Sequence, residues 1–224
     1  MEFYRMLSEN YSEIFPLSEA AVKTAEEMTP CGGRVLDVGA AKGELVRRLV
    51  SDGYDAVGLE YVPELIGYPE KTIEGDMHSL AFSDDSFDSV ICMGNTLVHS
   101  TDPNSVIAEF ARVLKQGGKL LVQILNYDRI MLTKPEGLPL IETENIKFER
   151  KYEYFEDHIL FKGKIISNTG EQSSDVNIYP IASLFMTSFL TDNNLRLNKL
   201  YGGFDKSAYE RKNSYSLVVI AEKM

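Results

Sequence analysis

The segment Val35-Leu36-Asp37-Val38-Gly39-Ala40-Ala41-Lys42-Gly43 constrains this chain more than any other stretch. A short apolar run ends on an acidic residue, and small residues follow where a strand must turn sharply. Leu45, Val46, Leu49 and Val50 then recur at helical spacing until Gly53. Small residues in such a turn let backbone N–H groups approach a ligand closely. The segment therefore predicts a strand-turn-helix unit with a binding site at the turn.

The pattern repeats downstream. Tyr54 to Leu59 reads as a second strand stopped by Glu60, Lys71 to Glu74 as a weaker third, and Phe87 to Met93 as one buried on both faces. Asp102-Pro103 supplies an N-cap followed by proline at the first helical position, and Val106, Ile107, Phe110, Val113 and Leu114 continue one apolar face. Gly117-Gly118 is expected to end that helix, and Lys119 to Leu125 is the next buried strand. Strands alternating with helices imply right-handed crossovers and a doubly wound, mainly parallel, Rossmann-like α/β sheet. After Leu125 the period changes to two. Ile146, Phe148, Tyr152 and Tyr154 alternate with Lys147, Glu149, Lys151 and Glu153, which predicts strands with one wet face. Ile159 to Ile166 and Val176 to Tyr179 add two more, with turn signals at Glu156-Asp157 and Asn168-Thr169-Gly170. A helix at Ile181 to Phe189 precedes a closing antiparallel hairpin, Leu195 to Tyr201 with Tyr215 to Ala221.

The expected organisation is one domain: N-terminal helices at 1–30, a ligand-binding core at 34–125, a small antiparallel β cap at 126–180, and a closing helix and hairpin at 181–224. A length of 224 residues suits one such domain. The 34 acidic residues against 23 basic ones give a net charge of −11, a field that repels phosphate backbones and anionic membranes. No nucleic-acid or membrane partner is expected. Cys31 and Cys92 lack the spacing of a disulfide framework or a metal site, no apolar run reaches membrane-spanning length, and the start has no secretory signal pattern, so a cytoplasmic protein is expected.

The ligand at the turn is the deciding question. A dinucleotide fingerprint G-x-G-x-x-G would put its third glycine where this chain has Glu44, beside the pyrophosphate. The segment resembles instead the first motif of class I S-adenosylmethionine-dependent methyltransferases, an acidic residue followed by G-x-G-x-G, with Ala41 at the middle glycine. Further features follow in the family's order. Glu60 closes the second strand ~20 positions after the first glycine, where an acceptor for two ribose hydroxyls is needed. Gly75-Asp76-Met77 follows the third strand, Ser86-Phe87-Asp88-Ser89-Val90-Ile91 matches the fourth-strand signature, and Leu114-Lys115-Gln116-Gly117-Gly118-Lys119-Leu120 matches the turn before the fifth. The resemblance implies S-adenosylmethionine as cofactor. Tyr11, Asp37, Gly39, Ala40, Ala41, Gly43, Glu60, Asp76, Met77, Met93 and Asn95 are its expected contacts, with Asp76 reading the adenine amino group and Met77 packing near the ring.

Methyl transfer from a sulfonium needs chiefly that the acceptor be held in line with methyl and sulfur. The acceptor site belongs beyond the ends of the fourth and fifth strands. His99 is there a candidate base. Asn126-Tyr127-Asp128-Arg129 resembles the Asn-Tyr-Asp element of glycine- and sarcosine-type N-methyltransferases, which implies Asn126 and Tyr127 as polar positioning groups for a small-molecule acceptor. Tyr4, Tyr11 and Phe15 resemble a lid helix, and the aromatic face of the cap is expected to cover the acceptor. His78 and His158 have no companions at metal-ligand spacing, and Ser100 lacks a nucleophile elbow. Two other readings stay open: a nicotinamide-dependent oxidoreductase, disfavoured by Glu44, and a non-catalytic module that binds the cofactor and a partner protein.

Overall fold

A computed structural model of the chain describes residues 2–168 and 170–224; Met1, at the head of the expected lid, and Thr169, in one expected turn, lie outside the described residues. The elements are α1 (Glu2–Leu7), α2 (Tyr11–Ile14), α3 (Glu19–Met28), β1 (Arg34–Val38), α4 (Glu44–Ser51), β2 (Asp55–Glu60), β3 (Thr72–Glu74), β4 (Phe87–Cys92), α5 (Pro103–Val113), β5 (Leu114–Leu125), α6 (Tyr127–Thr133), β6 (Gly137–Glu142), β7 (Ile146–Tyr154), β8 (Ile159–Ser167), β9 (Gly170–Ile178), α7 (Ser183–Asp192), β10 (Leu195–Tyr201) and β11 (Ser216–Lys223).

Seven strands form one sheet in the order β10-β11-β5-β4-β1-β2-β3. Strands β1 to β5 pair in parallel, and β11 runs antiparallel to both β5 and β10. This is the doubly wound sheet with a closing antiparallel strand that the alternating pattern predicts. Chain order reverses between β1 and β4, so the crevice at their carboxyl ends is the natural ligand site. The core follows from the apolar runs: Leu36, Val90, Leu120 and Val122 are fully buried, with Ile107 and Phe110 of α5 packed over them. Each such side chain contributes about 1.5–3 kcal/mol. Asp102 caps α5, accepting from the Ser105 N–H at 3.2 Å, and that helix begins on Pro103.

One boundary differs from expectation. Helix α5 stops at Val113, and the chain is already extended at Leu114, with Gly117 at φ +74° taking up a kink inside β5. The glycine pair bends the strand rather than ending the helix. Asp88, at the amino end of β4, binds the Lys115 ammonium at 2.8 Å and accepts from the Arg34 N–H at 2.8 Å. The fourth-strand signature thus fastens three neighbouring segments far from the crevice.

The cap is a four-stranded antiparallel sheet, β6-β7-β8-β9. Helix α6 and strand β6, which the sequence periodicity does not mark, fill the connection, and β9 begins at Gly170 rather than Val176. The polar run Glu171 to Asp175 is in a strand because it pairs residue for residue with β8. Phe148 is fully buried against Phe3 of α1, and Phe3 packs on Phe161 at 5.3 Å between ring centroids. A Cβ at Gly163 would lie 2.7 Å from the Phe3 ring and 2.9 Å from that of Phe148. Gly163→Val is therefore expected to destabilise the junction of α1 and cap by about 1–3 kcal/mol, read as a lowered denaturation midpoint; an unchanged midpoint would show that α1 is not seated there.

Candidate active site

The turn after β1 is tight: Gly39, Ala41 and Gly43 all have positive φ, at +78°, +45° and +69°. A Cβ at Gly39 would come 2.5 Å from Thr96 Oγ1, so its glycine allows the loop after β4 to close down on the turn. Glu60 holds the turn from the other side. Its Oε2 accepts from the Ala41 N–H and its Oε1 from the Val62 N–H, each at 2.9 Å. Burial raises the Glu60 carboxyl above its usual range despite these bonds, and burial together with the Glu60 charge lifts Asp37 to about 7.

Two adjoining cavities open at the carboxyl ends of the strands. The first, about 280 Å³, is lined by Gly39, Glu60, Gly75, Asp76, Met77 and His78 among others. No Lys or Arg lines it among the described residues. The second, about 220 Å³, lies between the sheet, α1 and the cap, with Phe3, Asn95, Leu138, Arg150, Tyr152 and Phe161 in its walls. Tyr4, Tyr11, Gly94 and His99 line both. Small-molecule sites occupy volumes on the order of 300–1,000 Å³, and the two chambers share one wall.

His99 stands in that wall. Its Nε2 lies 2.7 Å from Tyr4 Oη. Burial lowers the imidazole to about 4, so the ring is neutral near pH 7, and in the tautomer protonated at Nδ1 its Nε2 accepts from the tyrosine. Burial also raises the Tyr4 phenol, which keeps it a donor. In the first cavity Asp76 accepts from the His78 N–H at 2.9 Å and lies 2.6 Å from His78 Nδ1. These bonds hold its carboxyl below the usual range. His78 Nε2 is 2.8 Å from Ser100 Oγ, which also accepts from the Asp102 N–H at 2.9 Å. The Asp-His-Ser line superficially resembles a hydrolase relay, but Ser100 is fully buried. It serves to fix Asp76.

Of the expected cofactor contacts, Tyr11, Gly39, Glu60, Asp76 and Met77 line the first cavity. Asp37, Ala40, Ala41 and Gly43 form or support the turn behind it, and Met93 packs into the core below. Asn95 lines the second cavity instead, with its Nδ2 donating to Tyr127 Oη at 2.8 Å. Tyr127 is buried and reaches the site only through that bond. Asn126 is not brought to either cavity. Its side chain caps α6, accepts from the Tyr209 hydroxyl at 2.8 Å, and donates to the Arg211 and Ser214 carbonyls at 3.1 and 2.9 Å. Every polar atom of the fully buried amide is thus spent anchoring the loop before β11. The cap covers the second cavity through Tyr152, while Phe148 packs on α1 and the Tyr154 hydroxyl donates to the Pro135 carbonyl at 2.8 Å.

Arg150 escaped the sequence reading. The period-two pattern of β7 puts it on the same face as Phe148 and Tyr152, and a charged residue in phase with an apolar stripe was the available signal.

A methyltransferase-domain family model matches residues 36–122. A ubiquinone biosynthesis O-methyltransferase of Xanthomonas oryzae pv. oryzae is 35% identical over 106 residues, covering 42% of this chain. The match spans 44% of that relative, so this chain covers less than half its length. Among solved structures, a S-adenosylmethionine-dependent methyltransferase from Clostridium acetobutylicum superposes with a TM-score of 0.81 at 12% identity, covering 98% of both chains. An amino pentose methyltransferase from Micromonospora echinaspora, solved with S-adenosylmethionine bound, gives a TM-score of 0.71 at 14% identity over 97% of both. No helix among the described residues is long and apolar enough to cross a membrane. The core thus matches a methyltransferase-domain model, and the fold is shared end to end with solved S-adenosylmethionine-dependent methyltransferases.

Proposed function

We propose that this chain transfers a methyl group from S-adenosylmethionine, held in the first cavity, to a small-molecule acceptor held in the second. The observation that carries this reading is the shared wall at Gly94, His99, Tyr4 and Tyr11, which sets a donor chamber and an acceptor chamber end to end. In-line displacement needs that arrangement. The donor set of the first cavity fits the cofactor: Glu60 accepts from adjacent ribose hydroxyls, Asp76 from the adenine amino group, and buried Asp37 lends negative charge toward the cationic methionine end. A nicotinamide dinucleotide would bring a pyrophosphate to a cavity with, among the described residues, no lysine or arginine in its walls. The cofactor, when bound, supplies an electrophilic methyl on a good leaving group. The residues of the chain exclude water and orient the acceptor.

An amine acceptor suits His99. An imidazole held near 4 is a weak base, yet an amine attacks as the free base and loses its proton after transfer. His99 then needs only to accept one N–H hydrogen bond and aim the lone pair. The test is turnover of radiolabelled S-adenosylmethionine with a metabolite extract. Formation of S-adenosylhomocysteine with label in a small product supports the reading; cofactor binding without any product overturns it in favour of a non-catalytic binding module.

The electrostatics of the first cavity set a pH dependence. Folded Asp37 keeps its proton up to about 7, well above the ordinary aspartate value of about 4. Stability from this group is thus fully present below about 4 and is lost as pH rises through 7 in the ligand-free protein. A cationic ligand favours the ionised carboxylate, so cofactor affinity is expected to rise between pH 5.5 and 7, by up to about tenfold per pH unit. Calorimetry on wild type and Asp37→Asn checks it: the slope should flatten in the variant, and equal slopes would remove Asp37 from the cofactor's field.

A further inference from the structure

We infer that the acceptor is a molecule with an apolar, ring-bearing body and an anionic group of the carboxylate type, and that Arg150 and Tyr152 bind the anion. The inference rests on the reading of the second cavity as the acceptor chamber. Phe3, Phe161 and Leu138 give that cavity its apolar walls, and Arg150 is the one charged residue lining it among the described residues.

The contacts Arg150 makes within the fold leave part of its guanidinium unmet. A guanidinium on the inner face of a half-buried sheet is costly unless paired. No carboxylate pairs with it among the described residues. Its Nη2 donates only to the Pro139 carbonyl, its buried Nε has no partner, and its guanidinium lies 5.7 Å from the Phe148 ring centroid. Burial accordingly lowers its hold on the proton. Two residues along the strand, about 7 Å away, Tyr152 is 8% exposed and its buried hydroxyl also lacks a partner. Two orphan donors therefore converge on a cavity otherwise built for rings. Donors of this kind are left unpaired where a ligand completes them, and a planar guanidinium beside a hydroxyl matches a carboxylate. The surrounding charge agrees: in a chain of net charge −11, an anion would be drawn to few places, and Arg129, stacked over Tyr215 at the rim, adds a second cation on the approach.

The test uses the full chain, with and without saturating S-adenosylhomocysteine, titrated with phenylacetate and with phenylacetamide, a pair of the same shape that differs in charge. Wild type is expected to bind the acid at least tenfold more tightly than the amide. Arg150→Gln should bring the two within about twofold by weakening the acid alone. If Arg150→Gln melts early, Tyr152→Phe, which removes one oxygen, should cut acid affinity severalfold and leave amide affinity unchanged. Equal affinities in wild type, a preference that survives Arg150→Gln, or failure of either probe to bind would overturn the inference. Failure of S-adenosylhomocysteine itself to bind strikes the methyltransferase reading instead, while the acid-amide comparison without it still decides the role of Arg150.

Discussion

Glu60→Ala is expected to weaken S-adenosylhomocysteine binding by roughly a hundredfold or more. Hydrogen bonds to a charged group are worth about 1.5–3 kcal/mol each, and two adjacent ribose hydroxyls offer two of them. The same carboxylate accepts from the Ala41 and Val62 N–H groups, so the alanine variant also loosens the turn after β1. Glu60→Gln separates the two effects. It keeps the volume and one of the two acceptor oxygens but sets an amide N–H against the other backbone N–H, so its melting temperature should fall between those of wild type and Glu60→Ala while affinity still drops at least tenfold. Wild-type affinity in Glu60→Ala would move the ribose elsewhere.

His99→Ala is expected to lower turnover on the order of 10²-fold, the scale of loss when a reacting group is misplaced by about an ångström. His99 lines both cavities and is neutral because burial holds it near 4. The role proposed for it is that of an acceptor for the substrate's hydrogen, the place Tyr4 Oη takes in this structure. The wild-type rate should therefore show no inflection from this residue between pH 6 and 8, and should lose its contribution only as the pH falls toward 4. An inflection near 6.5 that vanishes in His99→Ala would instead make it a titrating base. Tyr4→Phe, which removes the internal partner and keeps the ring, should cost much less than loss of the imidazole.

Much of the fold was legible because its strands are apolar runs set between helices, a pattern that survives without tertiary information. Val35 to Val38 and Val90 to Cys92 are buried on both faces and read so from composition alone. Elements whose cause is tertiary were not. Strand β9 is polar nearly throughout and exists because β8 offers it a ladder. Helix α6 depends on the Asn126 cap; the resemblance implies a substrate role for that asparagine, and its anchoring role leaves no local signal because the bonds run to residues ~85 positions away, at Glu210 to Ser214. The first cavity was visible through acidic residues at successive strand ends. The second was visible only as an aromatic cap. Arg150 sits in phase with Phe148 and Tyr152, a break in binary pattern of the kind that marks functional sites. His78 showed no signal, because its partners Asp76 and Ser100 come from different loops.

The most direct measurement is a calorimetric titration of the purified chain with S-adenosylmethionine, with NAD titrated in parallel. One binding site per chain, lost in Glu60→Ala and absent for NAD, is the result expected if the cofactor binds in the first cavity, whose walls carry Glu60 and Asp76 and, among the described residues, no lysine or arginine. No binding of S-adenosylmethionine, binding unaffected by Glu60→Ala, or tighter binding of NAD would contradict it.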